Sequence, residues 1–126
     1  MSSTQSSMLV VDDDTDTCSN LSDIFSDLGY RVETAPNGPA ALEKVRHDRF
    51  DIALLDLMMP GMDGLALFRQ LRGLSPQTTG VLMTGEPHDP RAAECLQAGM
   101  NCMIPKPLDI PKLASALKKI VRQCSL

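Results

Sequence analysis

Asp12-Asp13, Asp56, Thr84 and Lys106 are the residues of this chain whose types could do chemistry together. Each stands at or just beyond the end of a short apolar run. Asp12-Asp13 follows Met8-Leu9-Val10-Val11, and Asp56 follows Ile52-Ala53-Leu54-Leu55. Thr84 closes Gly80-Val81-Leu82-Met83, and Lys106 lies just past Asn101 to Ile104. One polar residue at a strand end is an ordinary loop opening. Four such endings on one rim of one sheet point to a site, because ligands of open α/β sheets bind beyond the carboxyl ends of the strands. Three carboxylates brought together repel one another and call for a cation. Hard oxygen donors that leave room for water suit Mg²⁺. Lys106 then offers a point charge to an anionic group, and Thr84 a neutral hydroxyl donor. Cation, lysine, hydroxyl and one free carboxylate are the parts that phosphoryl transfer to an aspartate requires.

These residues meet only if the apolar runs lie side by side. The run before Asp56 is too short for a helix, and Pro60-Gly61 and Asp63-Gly64 break the chain after it. It reads as a strand buried on both faces, as in a parallel sheet covered by helices. Between the strand ends, helical stripes recur. Leu21, Ile24, Phe25 and Leu28 form the first, with Asp14, Thr15 and Asp16 as capping oxygens and Gly29 as its stop. Tyr30 to Ala35 alternates as a second strand, and Asn37-Gly38-Pro39 opens a helix that buries Ala41, Leu42 and Val45. Leu65, Leu67, Phe68 and Leu71 mark the next helix, ending near Gly73 or by Pro76. Pro90 to Ala98 is a short helix stopped by Gly99, and Leu108, Leu113, Leu117, Ile120 and Val121 mark the last. Five strands alternating with five helices predict a single α/β domain with a parallel sheet and right-handed crossovers.

The totals narrow the function further. A chain of 126 residues is about one domain and can bury a core without staples. A net charge of -4, a pI near 5.0 and few aromatics argue against direct nucleic-acid binding. No run of about 18 apolar residues occurs, so no membrane span is expected. Residues 1–7 read as a disordered polar tail without signal-peptide character, and 123–126 as a C-terminal tail. Cys18, Cys95, Cys102 and Cys124 match no zinc pattern, and no secretion signal supports a disulfide framework, so reduced thiols and a cytoplasmic setting are expected. His47 and His88 read as surface residues. Asp12, Asp14 and Asp16 do not make a calcium loop: the sixth position has no glycine, Asp23 stands where the closing Glu belongs, and a strand precedes. Asp63, followed by Gly64, reads as a turn or cap residue.

The motifs V-V-D-D, L-L-D-L-M-M-P-G-M-D-G, M-T-G and P-K-P, in this order, resemble the receiver domain of two-component response regulators. The resemblance covers about residues 8–122. It implies a flavodoxin-like fold: a five-stranded parallel sheet in the order 2-1-3-4-5 between two layers of helices. It also implies a phosphorylation-dependent switch, with the donor a sensor histidine kinase or a histidine phosphotransfer domain. Carried over by motif position, Asp56 is phosphoacceptor and Mg²⁺ ligand. Asp13 binds the metal directly and Asp12 mainly through water. Met58 offers its backbone carbonyl, Thr84 is the switch hydroxyl, and Lys106 pairs with phosphate. The resemblance further implies a cis Lys106-Pro107 bond. It implies output through a face made by the helix from Pro90, the fifth strand and the last helix, where a partner, an output domain or a second copy in a homodimer would bind.

The sequence departs from the family at Met103, three residues before the lysine, where Tyr or Phe is usual. Tyr30 lies at the start of another strand and cannot substitute. Two rival readings are weaker. A haloacid-dehalogenase-type phosphatase needs a second Asp two residues after its nucleophile, and position 58 is Met; the cap domain is missing as well. A phosphorylation-independent interaction module on the same fold would not need the acidic set.

Overall fold

The computed structural model describes residues 5–124, with side chains through Val121. The elements run β1 (Ser7–Val11), α1 (Thr15–Asp27), β2 (Arg31–Ala35), α2 (Gly38–His47) and β3 (Ile52–Asp56). Then follow α3 (Gly64–Leu74), β4 (Thr79–Thr84), α4 (Pro90–Gln97), β5 (Cys102–Pro105) and α5 (Ile110–Cys124). All strand pairs are parallel, in the order β2-β1-β3-β4-β5, so β3 is central. This is the flavodoxin-like fold expected from the sequence.

Strand pleating divides the core in two. Leu9, Val11, Ala53, Leu55 and Leu82 face one side, where Ala41, Leu42, Leu67, Phe68, Leu71 and Ala92 of α2, α3 and α4 cover them. Met8, Val10, Ile52, Leu54, Val81 and Met83 face the other, against Leu21 and Phe25 of α1 and Leu113, Leu117 and Ile120 of α5. Both sets are buried, which is why the inner strands read as unbroken apolar runs and not as alternations.

Several boundaries shift from the sequence reading. β1 begins at Ser7, which is buried and bonded to Asp51 through its N–H (2.9 Å) and hydroxyl (3.2 Å). It therefore belongs to the sheet and not to a tail; residues 1–4 lie outside the described residues. At the other end α5 continues to Cys124, past the expected tail boundary at 123, and residues 125–126 lie outside the described residues. Leu28 is the C-cap of α1 and is 56% exposed, so the α1 stripe ends at Phe25. Asp14 alone caps α1, accepting from Asp16 N–H at 3.0 Å and Thr17 N–H at 3.3 Å. Asp16 instead places its charge in the first turn, toward the positive end of the helix dipole.

The outer strands are handled differently from the inner ones. On β2, Arg31 forks onto Asp48 at 2.9 and 3.3 Å, donates to the Arg49 carbonyl at 3.0 Å and lies over the Phe50 ring. Glu33 takes Arg31 at 2.6 Å and Lys44 at 3.2 Å. On the opposite edge, β5 has only four residues and ends in Pro105.

Candidate functional site

The site is assembled from strand ends and the loops that leave them. Asp12 shares the pleat parity of Met8 and Val10, and Asp56 that of Ile52 and Leu54, so both carboxylates start from the α1–α5 side of the sheet. Thr84 shares the parity of Leu82, toward the layer of α3 and α4. The loop after Asp56 is closed by Gly64 N–H donating to the Leu57 carbonyl at 3.0 Å. A Cβ on Gly64 would lie 2.5 Å from the Asp56 carbonyl oxygen, so glycine is required for the loop to fold this tightly behind the aspartate. On β5 the Lys106 N–H donates to the Thr84 carbonyl at 2.8 Å, and the Lys106-Pro107 bond is cis.

Asp12, Asp13 and Asp56 each place a carboxylate oxygen within 4.8 Å of the others. Asp12 and Asp56 are buried, at 1% and 5% exposure, and Asp13 is exposed. Lys106 Nζ lies 2.9 Å from Asp12 Oδ2 and 3.4 Å from Asp56 Oδ1, so the lysine bridges the two buried carboxylates. The other Asp12 oxygen accepts from Asp14 N–H at 3.0 Å. Burial and the neighbouring Asp12 charge push the Asp56 carboxyl up to about 6, against the pull of Lys106. Burial works to lower the Lys106 pKa, but the hydrogen bond to Asp12 and the two carboxylate charges raise it. Three hard oxygen donors around one point, short of positive charge, fit a small divalent cation such as Mg²⁺.

Thr84 is fully buried, and its Oγ1 accepts from Glu86 N–H at 2.9 Å, a turn that closes the start of the β4–α4 loop. Met58 lies just past Asp56 in the β3–α3 loop, and its side chain is 47% exposed and turned to Arg91. Met103 is half-buried and packs on the α3–α4 side, under the helix that follows the Thr84 loop. Tyr30 stacks edge-on against Phe25, on the α1–α5 side. Asp63 caps α3 through Ala66 N–H at 2.9 Å. Among the described cysteines, Cys18, Cys95 and Cys102 are free thiols. His47 pairs with Glu43 on the surface of α2, and His88 is exposed.

Arg91 escaped the sequence reading. It meets Asp63, 28 residues away, and Met58, 33 residues away, and no local pattern announces such contacts.

The acidic cluster also sets a pH dependence in the metal-free protein. The Asp56 pKa rises on folding from 3.8 to about 6, so the native state holds the proton more tightly than the unfolded chain. The contribution of this carboxyl to stability is therefore full below pH 3.8 and is lost as pH rises through about 6. Asp56→Asn removes this loss. In chelator, the variant should exceed wild type by on the order of 2–3 kcal/mol above the window and match it at pH 4. Denaturant midpoints at both pH values check this; an unchanged or lowered stability at pH 7.5 would contradict it.

A doubly wound sheet with an acidic, lysine-bridged crevice at its carboxyl rim makes an α/β domain whose rim residues fit a divalent cation. The chain belongs to the response regulator receiver domain family, which matches residues 8–118. It is therefore a signalling domain of the two-component type, a class in which an aspartate accepts phosphate. It is 37% identical over 126 residues to the transcriptional regulatory protein ZraR of Klebsiella oxytoca, covering 100% of this chain and 28% of that protein. It is 35% identical over 116 residues to the response regulator MprA of Mycobacterium tuberculosis, covering 92% of this chain and 50% of that one. The chain thus spans about a quarter to a half of the length of these relatives. Among solved structures, a CheY-like receiver domain protein from Methanospirillum hungatei JF-1 superposes with a TM-score of 0.93 at 28% identity, covering 97% of this chain and 98% of that one. The response regulator TrrA of Thermotoga maritima, in complex with Mg²⁺ and BeF, gives 0.83 at 28% identity, covering 92% and 99%.

Proposed function

We propose that this chain is a phosphorylation-controlled switch in which Asp56 accepts a phosphoryl group from a sensor histidine kinase or a histidine phosphotransfer domain. The carrying observation is the convergence of Asp56, Asp12, Asp13 and Lys106, separated by up to 94 residues in sequence, on one rim of the sheet. An Asp56 carboxylate oxygen attacks phosphorus. The P–N bond of the phosphohistidine breaks as the P–O bond forms, and the departing imidazole nitrogen keeps the electron pair and later takes a proton. Asp13 and Asp56, Asp12 mainly through water, and the Met58 carbonyl would hold Mg²⁺, which would supply the positive charge that offsets repulsion between anionic acceptor and anionic phosphoryl group. Lys106 already faces Asp56 at 3.4 Å and can shift its charge from carboxylate to phosphoryl oxygen. A groove between α1 and the Lys106–Ile110 segment, with Asn20, Ile24, Pro107 and Leu108 on its walls, opens beside the lysine and suits the approach of the donor. No helix of the described residues is long and apolar enough to cross a membrane, and the reading needs none.

Incubation with a small phosphodonor and Mg²⁺, followed by intact mass, tests the proposal. One added phosphoryl group is expected; none would overturn it. Multiple turnover on small phosphate esters would instead favour a phosphatase.

Output runs from Thr84. A phosphoryl group on Asp56 draws the hydroxyl inward, which disturbs the turn to Glu86 and moves the β4–α4 loop and α4. Partner binding then changes at the face of α4, β5 and α5, whether the partner is a separate protein, an attached output domain or a second copy. The relative ZraR is named a transcriptional regulatory protein, which supports an output of this kind. Met103 sits where the usual aromatic would, but Met is flexible and cannot donate a hydrogen bond, so its alternative poses differ little in energy. With beryllofluoride as phosphoryl mimic, α4 amide shifts should survive Met103→Ala and collapse in Thr84→Ala. Equal loss in both variants would make Met103 an obligatory switch.

A further inference from the structure

The loops that carry Asp56 and Thr84 end in helix caps of the same kind. Asp63 caps α3 through Oδ1, accepting from Ala66 N–H at 2.9 Å, and Asp89 caps α4 through Oδ1, accepting from Arg91 N–H at 2.9 Å. The second oxygen of each carboxylate turns to one guanidinium. Arg91 donates to Asp63 Oδ2 at 3.1 Å and to Asp89 Oδ2 at 2.9 Å. It also donates to Met58 Sδ at 2.9 Å. Arg91 thus grips the β3–α3 loop near both ends and ties it to the first turn of α4. None of its hydrogen bonds among the described residues goes to Asp56, so it stands outside the transfer chemistry. Farther along the same helix pair, Arg69 lies 3.7 Å from Glu94, and Arg72 donates to the Ala98 carbonyl at the end of α4.

Resting on the function proposed above, the geometry points to Arg91 as a positioning residue for the cation site, one that links cation binding to α4 before any phosphoryl group arrives. The β3–α3 loop carries the Met58 carbonyl, and a loop already held in place loses less freedom when it becomes a ligand. Two sites joined by such a tie influence each other equally in both directions, so α4 must feel the cation as much as the cation site feels α4. The tie needs a planar donor with several N–H groups pointing to three partners at once; a lysine ammonium on a flexible stem cannot reproduce it. Arg91 is partly exposed, with a side-chain exposure of 36%, so the effect is modest.

The test is a Mg²⁺ titration without phosphodonor, followed by backbone amide spectra. Wild type, Arg91→Ala, Arg91→Lys, Asp63→Asn and Thr84→Ala are compared. Asn caps a helix about as well as Asp, so Asp63→Asn keeps α3 intact while it breaks the ion pair. Wild type should show saturable Mg²⁺ binding with shifts in the first turn of α4. Arg91→Ala should lose the α4 shifts and bind Mg²⁺ roughly threefold to fivefold more weakly, the scale of one partly exposed ion pair. Arg91→Lys and Asp63→Asn should fall between. Unchanged affinity and unchanged α4 shifts in Arg91→Ala and Asp63→Asn would overturn the role of Arg91 and leave the metal site standing. Loss of the α4 shifts in Thr84→Ala with retention in Arg91→Ala would assign the link to Thr84 instead. No saturable binding in wild type would overturn the metal site itself, and the inference with it.

Discussion

Asp56→Asn should reduce phosphoryl labelling to background, while wild type gains one phosphoryl group under the same phosphodonor and Mg²⁺. The two side chains are nearly the same size, so the fold and the contacts behind residue 56 are kept. What is lost is the anionic oxygen that attacks phosphorus in the proposed transfer. No neighbour can replace it. Asp12 has one oxygen committed to the Asp14 N–H and the other to Lys106, at 3.0 and 2.9 Å. Asp13 is exposed and, among the described residues, carries no comparable lysine contact. The same geometry fixes the pH response. With its carboxyl pushed up to about 6 by burial and Asp12, Asp56 is partly protonated in mildly acidic, metal-poor solution, and a protonated carboxyl does not attack. Labelling at limiting Mg²⁺ should therefore fall as pH drops below about 6. Labelling of Asp56→Asn equal to wild type in the mass spectrum would place the acceptor elsewhere.

The second large effect is on the metal. Chelation should abolish labelling of the wild type. Asp13→Ala should weaken Mg²⁺ binding by at least roughly tenfold, since even groups that merely orient a ligand cost that much when removed. Asp16→Ala is the contrast. It removes a similar charge from the same segment, but its carboxylate stands in the first turn of α1 and outside the cluster of Asp12, Asp13 and Asp56. Calorimetric or fluorescence titration of both variants separates a specific site from general acidic attraction. Equal weakening would show that the cation is drawn by the charge of the whole Asp12–Asp16 segment.

A strand buried on both faces must be apolar throughout, so Met8–Val11 and Ile52–Leu55 stand out, and an aspartate directly after each is conspicuous. The acidic cluster and the lysine that bridges two of its members could be picked out from such endings. Boundaries were less legible. Ser7 enters β1 because Asp51 receives its N–H and hydroxyl, a contact across 44 residues that no local pattern encodes. Leu28 fits the α1 stripe by spacing but falls at the C-cap, where the chain turns away from the core. Arg91 was invisible for the same reason as Ser7. A surface arginine in a short helix looks like solvation until the fold brings two capping aspartates and a thioether to it.

The outer strands have a consequence for how copies of this chain can associate. A free strand edge is a template on which a second sheet can grow. Here β2 offers that edge with Arg31 and Glu33 knotted into charged contacts with Asp48 and Lys44, and β5 offers four residues closed by a proline that has no N–H to give. Neither edge invites continuation into a ten-stranded sheet. Any self-association is thereby steered onto helix surfaces, where side chains decide the fit and contact can be made and released without unzipping a ladder of backbone bonds. Edges that refuse to polymerise keep contacts between copies reversible.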